Sequence, residues 1–559
     1  MKNIIAFYRL KTNCLIVCGL LLLLALCIGC KRKSSFQTTS SQVGSGLINT
    51  SQNAISISGT RFIDSYGRQV IFSGVNKVNK DPKMNYTDID SIATFEKFNH
   101  WGFNCIRLGV IWDGVEPQPG VYDEKYLDKL EESVKLSSQN GLYVMLDMHQ
   151  DLYGVSFGEG NTSLGDGAPK WATLTENLPH IKGQIWSESY LISPAVQKAF
   201  DNFWANKPSA DGIGVQDHYA RMWQHVAKRF ANNKAVIGFD IMNEPFNGTP
   251  GTDLMPLILT EYARLFAEET GKVLSENEVI AIWSDEDMRF EALSRLQSAE
   301  KYARVFDTAK NMNQQFEKTA LQSMYQNVCD AIREVDTTHI LFLEHSYFGN
   351  LGISSAIEPV KAKNGNSDPL VAYAGHGYDL LVDTKNYNSQ SDSRVELIFS
   401  RINETSQRIN VPVLVGEWGA FSGGSEAMTS SVKFITGLFE RFGFSNTYWA
   451  YYTGIEKDAY FTNSLVRPYP PYIGGLLKKY SFNHETGLFS CSWEESHLVK
   501  ASTVIYIPDM ENLVRESITQ NPESGKTVIT SIKNSKAGYL IIPVTRDSLI
   551  RTVEFKLKN

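Results

Sequence analysis

From Ile55 onward, short apolar runs rich in β-branched residues alternate with longer stretches whose apolar positions recur every three to four residues. That alternation predicts strands followed by amphipathic helices, the pattern of repeated βα units around a parallel sheet. The expected strands are 70–75, 105–110, 142–148, 236–242, 340–343, 370–374, 413–415 and 447–451, with helices such as 126–140, 218–231, 314–334 and 430–441 between them. The fold class is α/β, a (β/α)8 TIM barrel. Two connections exceed simple barrel loops: 150–214, rich in Gly, Asn and Trp, and 247–312, which reads as extra helices. Long loops at the C-terminal ends of barrel strands shape the substrate site. Past Arg467-Pro468-Tyr469-Pro470-Pro471 the helical period disappears, and 502–507, 526–532, 538–544 and 552–557 read as antiparallel strands. The expected organisation is a barrel over 55–478 followed by an all-β sandwich over 479–559.

The first thirty residues are different in kind. Lys2, Arg9 and Lys11 precede an uncharged, leucine-rich run from Cys14 to Cys30. That run is shorter than the roughly 20 residues a membrane span needs. It ends in Cys27-Ile28-Gly29-Cys30, which resembles a bacterial lipoprotein signal, with Cys27 where leucine is usual. The resemblance implies a signal over 1–30, lipidation at Cys30, and display at the cell envelope after crossing the bacterial inner membrane. A plainly secreted protein and a short membrane anchor are the alternatives. Residues 31–54, rich in Ser, Thr, Gln and Gly, read as a flexible tether.

Composition narrows the partners. Lys and Arg number 54 against 61 Asp and Glu, giving a net charge of −7, and no basic run exceeds Lys31-Arg32-Lys33. Nucleic acid is excluded as a partner by that balance. Beyond the first thirty residues only Cys105, Cys329 and Cys491 remain, too few and too far apart for a disulfide framework or a metal pair. Asp285-Glu286-Asp287 fails as a calcium loop because Phe290 occupies the glycine position.

Two strands end in a carboxylate. One is Gly238-Phe239-Asp240-Ile241-Met242-Asn243-Glu244-Pro245, the other Val413-Leu414-Val415-Gly416-Glu417-Trp418-Gly419. As the fourth and seventh strands of a barrel, they aim Glu244 and Glu417 into one mouth. Hydrolysis of a glycosidic bond with retention needs such a pair, about 5–5.5 Å apart, one a nucleophile and one an acid with a raised pKa. That chemistry requires no cofactor and no metal.

From about 55 to 480 the chain resembles glycoside hydrolase family 5, retaining β-glycosidases on a TIM barrel. The resemblance implies that Glu244, after Asn243, is the acid/base and Glu417 the nucleophile. It also implies roles for Arg107 on the second strand, for His376 and Tyr378 in His376-Gly377-Tyr378, and for Trp449 on the eighth strand. Arg107 is expected to hold Glu417 ionised by lowering its pKa. Asn243 is expected to grip the sugar 2-hydroxyl, Tyr378 to donate to the nucleophile, His376 to serve the site around it, and Trp449 to form an apolar floor.

A narrower likeness lies in Asp147-Met148-His149-Gln150-Asp151 and Gly167-Ala168-Pro169-Lys170-Trp171, which resemble endoglycoceramidases. Those enzymes cut between the oligosaccharide and the ceramide of glycosphingolipids. The resemblance implies that His149, Asp151 and Lys80 bind sugar hydroxyls, with Lys77 competing for the last role. The insertion 247–312 is expected either to pack on the barrel or to form a lid for the lipid tails. The alternatives are a family 5 enzyme acting on another aglycone or polysaccharide, and a non-catalytic surface glycan-binding lipoprotein. A monomer is expected.

Overall fold

The computed structural model describes residues 53–158, 165–421, 423, 425–523, 525–545, 547 and 549–558. The expected signal over 1–30, with the expected lipidation site Cys30, and the expected tether as far as residue 52 lie outside the described residues. Eight parallel strands form one closed sheet: Ser73–Lys77, Cys105–Ile111, Tyr143–His149, Val236–Asp240, Ile340–Leu343, Val371–Tyr373, Leu414–Val415 and Ser445–Tyr448. The last pairs with the first, and a parallel bridge between Tyr373 and Val413 closes the ring. Both faces of these strands are covered, one by the barrel interior and one by helices, so they read as continuous apolar runs.

The helices start where short polar caps allow. Asp123 caps Glu124–Gln139, Ser391 caps Asp392–Ile409 and Ser425 caps Glu426–Phe442, each side chain accepting from a first-turn amide. The 247–312 connection folds as the helices Leu254–Thr270, Glu276–Ser284, Glu286–Arg295 and Ala299–Phe306. They bury Leu254, Ile258, Tyr262, Leu293, Tyr302 and Phe306 in the core they share with the barrel.

Two further sheets pack against the barrel. One has seven strands in the order Ile55–Ser58, Arg61–Asp64, Gln69–Val70, Tyr469–Ile473, Thr503–Ile507, Gly538–Ile542 and Val528–Ser531. The other has four: Gly475–Asn483, Leu488–Glu495, Ile550–Leu557 and Leu513–Asn521. Tyr480, Phe489, Trp493, Ile505, Leu540 and Phe555 form the core they share. The β region therefore begins at Tyr469, not at 479, which falls inside a strand. It also recruits 55–70, which the sequence pattern assigns to the barrel. The strand Tyr469–Ile473 reads Tyr-Pro-Pro-Tyr-Ile, and two prolines argue against a central strand. It is nevertheless central, pairing with Val70 on one side and, through a bulge, with Val504 and Tyr506 on the other. The hydroxyl of Tyr143 donates to Asn53 O and that of Tyr469 to Gly102 O, so the seven-stranded sheet closes the N-terminal end of the strands, while the four-stranded sheet meets the helix Glu426–Phe442, Phe482 N donating to Glu440 at 3.0 Å. The C-terminal ends stay open.

Candidate active site

At that open end, the fourth strand delivers Asn243 and Glu244. Glu244 has φ +43°, a left-handed conformation that costs a non-glycine residue free energy and needs outside support. Support comes from both sides. Its amide donates to Glu344 Oε2 at 2.9 Å, and Gln150 Nε2 donates to the carbonyls of Asn243 and Glu244 at 2.8 and 3.2 Å. The Glu244 carboxylate accepts from Asn350 Nδ2 at 2.7 Å and stands 3.0 Å from His376 Nδ1. Across the mouth, Glu417 accepts from Arg107 Nη1 at 2.8 Å and from the Tyr378 hydroxyl at 3.0 Å. Ligand-type atoms of Glu244, His376 and Glu417 all lie within 4.8 Å of one another.

Arg107 is fully buried and serves several carboxylates at once. Nε donates to Asp240, Nη1 to Asn76 and Glu417, and Nη2 to Asp147, Asn243 and Glu344, at 2.8–3.1 Å. Burial pushes Asp147 and Asp240 up to about 6 and Glu344 up to about 8. Burial also raises Glu417 to about 7, against the pull of His376 and Arg107 and with the push of Glu244. Arg107 does pull Glu417 down, as expected, but desolvation outweighs the guanidinium and leaves the net value above the ordinary one. Burial works against the imidazolium of His376, yet Glu344, Glu417 and Glu244 outweigh it and hold its pKa well above the ordinary value.

Beside the pair lies a cleft of about 590 Å³. Lys80 Nζ pairs with Asp151, stands 3.7 Å from Asp166 Oδ2 and lies 4.8 Å from the Trp449 ring centroid. His149 stacks on Trp449 with centroids 5.2 Å apart, and its Nδ1 bonds Asp147 at 2.8 Å. Burial and the charge of Lys80 keep His149 neutral, so Nδ1 carries the hydrogen and Nε2 is an acceptor among Lys80, Asp151 and Trp449. The acidic clusters that resemble metal sites already contain side-chain cations: Lys80 beside Asp151 and Asp166, Arg107 among Asp147, Asp240 and Glu344.

The structure brings Glu244, Glu417, Arg107, His376, Tyr378, Lys80, His149, Asp151 and Trp449 into one constellation. Asn243 is adjacent but occupied: its Oδ1 accepts from Arg107 and its Nδ2 donates to Gln150 O at 3.0 Å. Lys77 does not join them; it pairs with Asp88 and Asp90 instead. None of 247–312 is among the described residues lining the cleft; its helices pack into the barrel's core. The insertion supports residues around the cleft: Tyr302 donates to the carbonyl of cleft-lining Leu351 at 2.9 Å, Glu286 accepts from the Lys385 amide at 2.8 Å, and Arg289 bonds Glu188 at 2.9 Å. Sequence reasoning missed Glu344, Asn350, Asp166, Tyr347, Trp186 and Asp383. Trp186, Tyr347 and Asp383 line the cleft, with Trp186 Nε1 donating to Asp383 at 2.9 Å.

A parallel barrel with two carboxylates facing each other from its fourth and seventh strands, close enough for double displacement, defines a retaining glycoside hydrolase. The chain belongs to glycoside hydrolase family 5: the family model described as cellulase (glycosyl hydrolase family 5) matches 63–454, and the glycoside hydrolase family 5 C-terminal domain matches 467–541. The chain is 24% identical to endoglycoceramidase I of Rhodococcus hoagii over 470 residues, covering 81% of this chain and 79% of that one. It is 31% identical to the endoglycoceramidase of Cyanea nozakii over 216 residues, 34% of this chain and 41% of the other. Among solved structures, endo-glycoceramidase II from Rhodococcus sp. in a five-membered iminocyclitol complex superposes with a TM-score of 0.67 at 25% identity, covering 89% of this chain and 99% of that one.

Proposed function

We propose that the protein hydrolyses the β-linkage between the oligosaccharide and the ceramide of glycosphingolipids. The observation that carries this reading is the likeness to endoglycoceramidases, which runs through barrel and β region alike. In this reading Glu417 attacks the anomeric carbon and forms a glycosyl ester, while Glu244 protonates the departing glycosidic oxygen. Glu244 then takes a proton from the water that cleaves the ester. Arg107 and Tyr378 orient Glu417 for the attack. The sugar at the point of cleavage lies against Trp449, with Lys80, His149 and Asp151 holding its hydroxyls. The second hydrogen of Asn243 Nδ2 serves the 2-hydroxyl, a contact that strengthens as the oxocarbenium character develops. The leaving group departs on the Glu244 side, past Tyr347, Leu351, Trp186 and Val382, a partly apolar wall suited to a lipid aglycone.

The pattern ending in Cys30 supports secretion from a bacterial cell and lipid anchoring at the envelope, where a membrane-bound substrate is met. The test is incubation with lactosylceramide or a defined ganglioside, followed by mass spectrometry of both products. Intact oligosaccharide with free ceramide is the expected result. Hydrolysis of an aryl β-glycoside without cleavage of glycolipid overturns the substrate reading and leaves the catalytic pair in place.

A further inference from the structure

The loop leaving the first barrel strand borders two cavities. Residues 78–81 and Asp88 line the catalytic cleft, whereas Pro82 and Tyr86 line a second cavity of about 500 Å³. Trp171, Pro117, Gln118, Asp113 and Lys170 complete much of its wall. Tyr86 is buried, its hydroxyl donating to Asp113 of the cavity wall, whereas half-buried Trp171 has its Nε1 turned inward, donating to Glu116 O at 3.1 Å. The ring carbon of Trp171 is what faces the cavity, while Gln118 and Lys170 are exposed at its edge. Aromatic carbon flanked by amide, ammonium and carboxylate is the chemistry that binds a sugar, apolar face against the ring and hydroxyls toward the polar rim.

Position argues the same way. Glu244 protonates the leaving oxygen, so the aglycone departs beside Asn350 and Tyr347 and the sugar chain extends the other way, toward Lys80 and Asp151. From Lys80 the backbone reaches Pro82 in two residues. From Asp151, the bridges Asp151–Asp166 and Gly154–Ala168 lead directly to Lys170 and Trp171. Both routes out of the glycone corner end at the second cavity.

We infer that this second cavity is a distal carbohydrate subsite, holding neutral sugars at the non-reducing end of a long oligosaccharide by stacking on Trp171 and by hydrogen bonds from Gln118 and Lys170. The inference rests on the glycosidase reading above, and its test reads binding of free sugars so that the two stand or fall separately. The full protein is titrated calorimetrically with lactose and with a neutral pentasaccharide that carries lactose at its reducing end. The expected result is an affinity for the pentasaccharide about tenfold or more above that for lactose. The double variant Gln118→Ala/Lys170→Ala loses that gain while its lactose affinity and its hydrolysis of lactosylceramide stay at the wild-type level. Both residues are exposed, so the fold is not at stake. Equal affinity of the wild type for both sugars, or an equal loss for both in the variant, overturns the subsite. Failure to hydrolyse lactosylceramide overturns the glycolipid reading alone.

Discussion

Glu344 accepts the backbone amide of Glu244 at 2.9 Å and, through its other oxygen, bonds Arg107, the residue that also bonds Glu417. One buried side chain thus fixes the backbone of one catalytic carboxylate and the cation of the other. The left-handed φ of Glu244 persists because Glu344 and Gln150 hold the two sides of that residue. His376 Nε2, 3.1 Å from Glu344 Oε1, places a third group of the site under the same control.

Glu344→Gln therefore tests positioning apart from chemistry. The amide keeps the shape but turns one of the two oxygens that accept from the Glu244 amide and Arg107 into a donor, and it removes the carboxyl whose ionised form supports the His376 imidazolium. A loss of roughly 100-fold in kcat, with a native circular dichroism spectrum, is the expected result. The sign of the pH effect follows from the direction of the shift. Glu344 raises the His376 pKa, so its removal moves the basic limb of the kcat profile to lower pH. An unchanged profile assigns Glu344 a purely structural role.

The two carboxylates should separate by leaving group. Glu417→Ala is expected to lose several orders of magnitude on every substrate, because no ester forms. Glu244→Ala should lose comparably on a glycolipid but retain a burst of aglycone release from an aryl glycoside whose leaving group needs no proton. Pre-steady-state release of a nitrophenol measures it, and a burst in Glu417→Ala reverses the assignment.

What the sequence made legible followed burial. The eight barrel strands stand out because both faces are apolar, and Glu244 and Glu417 stand out because each follows such a strand. Glu344 carries the same signal, since Leu341-Phe342-Leu343-Glu344 is also an apolar strand ending in a carboxylate, and the fourth-and-seventh-strand template passed over it. Asn350 and Trp186 carry no comparable signal; they lie on short 3-10 turns, Tyr347–Leu351 and Trp186–Glu188, whose placement depends on contacts distant in sequence. The β region was misjudged at its start because Tyr469–Ile473 contains two prolines. Its strand Leu513–Asn521 was missed because its residues are mostly polar and only Leu513 is buried.

Arg107 should tolerate no substitute. Its donors are spread over Asp147, Asp240, Glu344, Glu417, Asn76 and Asn243, and lysine cannot reproduce a planar fork with that many partners. Arg107→Lys is expected to abolish measurable turnover, and Arg107→Met to destabilise the fold by about 3–5 kcal/mol by leaving buried carboxylates without their cation. Urea unfolding of both variants gives the stability, and wild-type stability in Arg107→Met contradicts the account.

The same cluster predicts how stability depends on pH. Glu344 and Glu417 are raised from an ordinary 4.5 to about 8 and about 7, and His376 is raised well above 6.5. Such groups bind more protons in the native state than in the unfolded chain, so the stability they contribute is lost as pH rises through their folded values. His345, lowered by burial to about 3, and His149, lowered well below 6.5, act in the opposite sense, destabilising as pH falls below 6.5. The opposing sets cancel in part below pH 6.5, but above it only the raised groups titrate. The Tm is therefore expected to fall steadily between pH 6.5 and 8.5 in low salt. Glu344→Gln should flatten that slope, because its amide does not titrate and His376 loses a carboxylate that raises it. Differential scanning calorimetry of both proteins across that window measures the two slopes, and a slope unchanged by the substitution removes Glu344 from the titrating set.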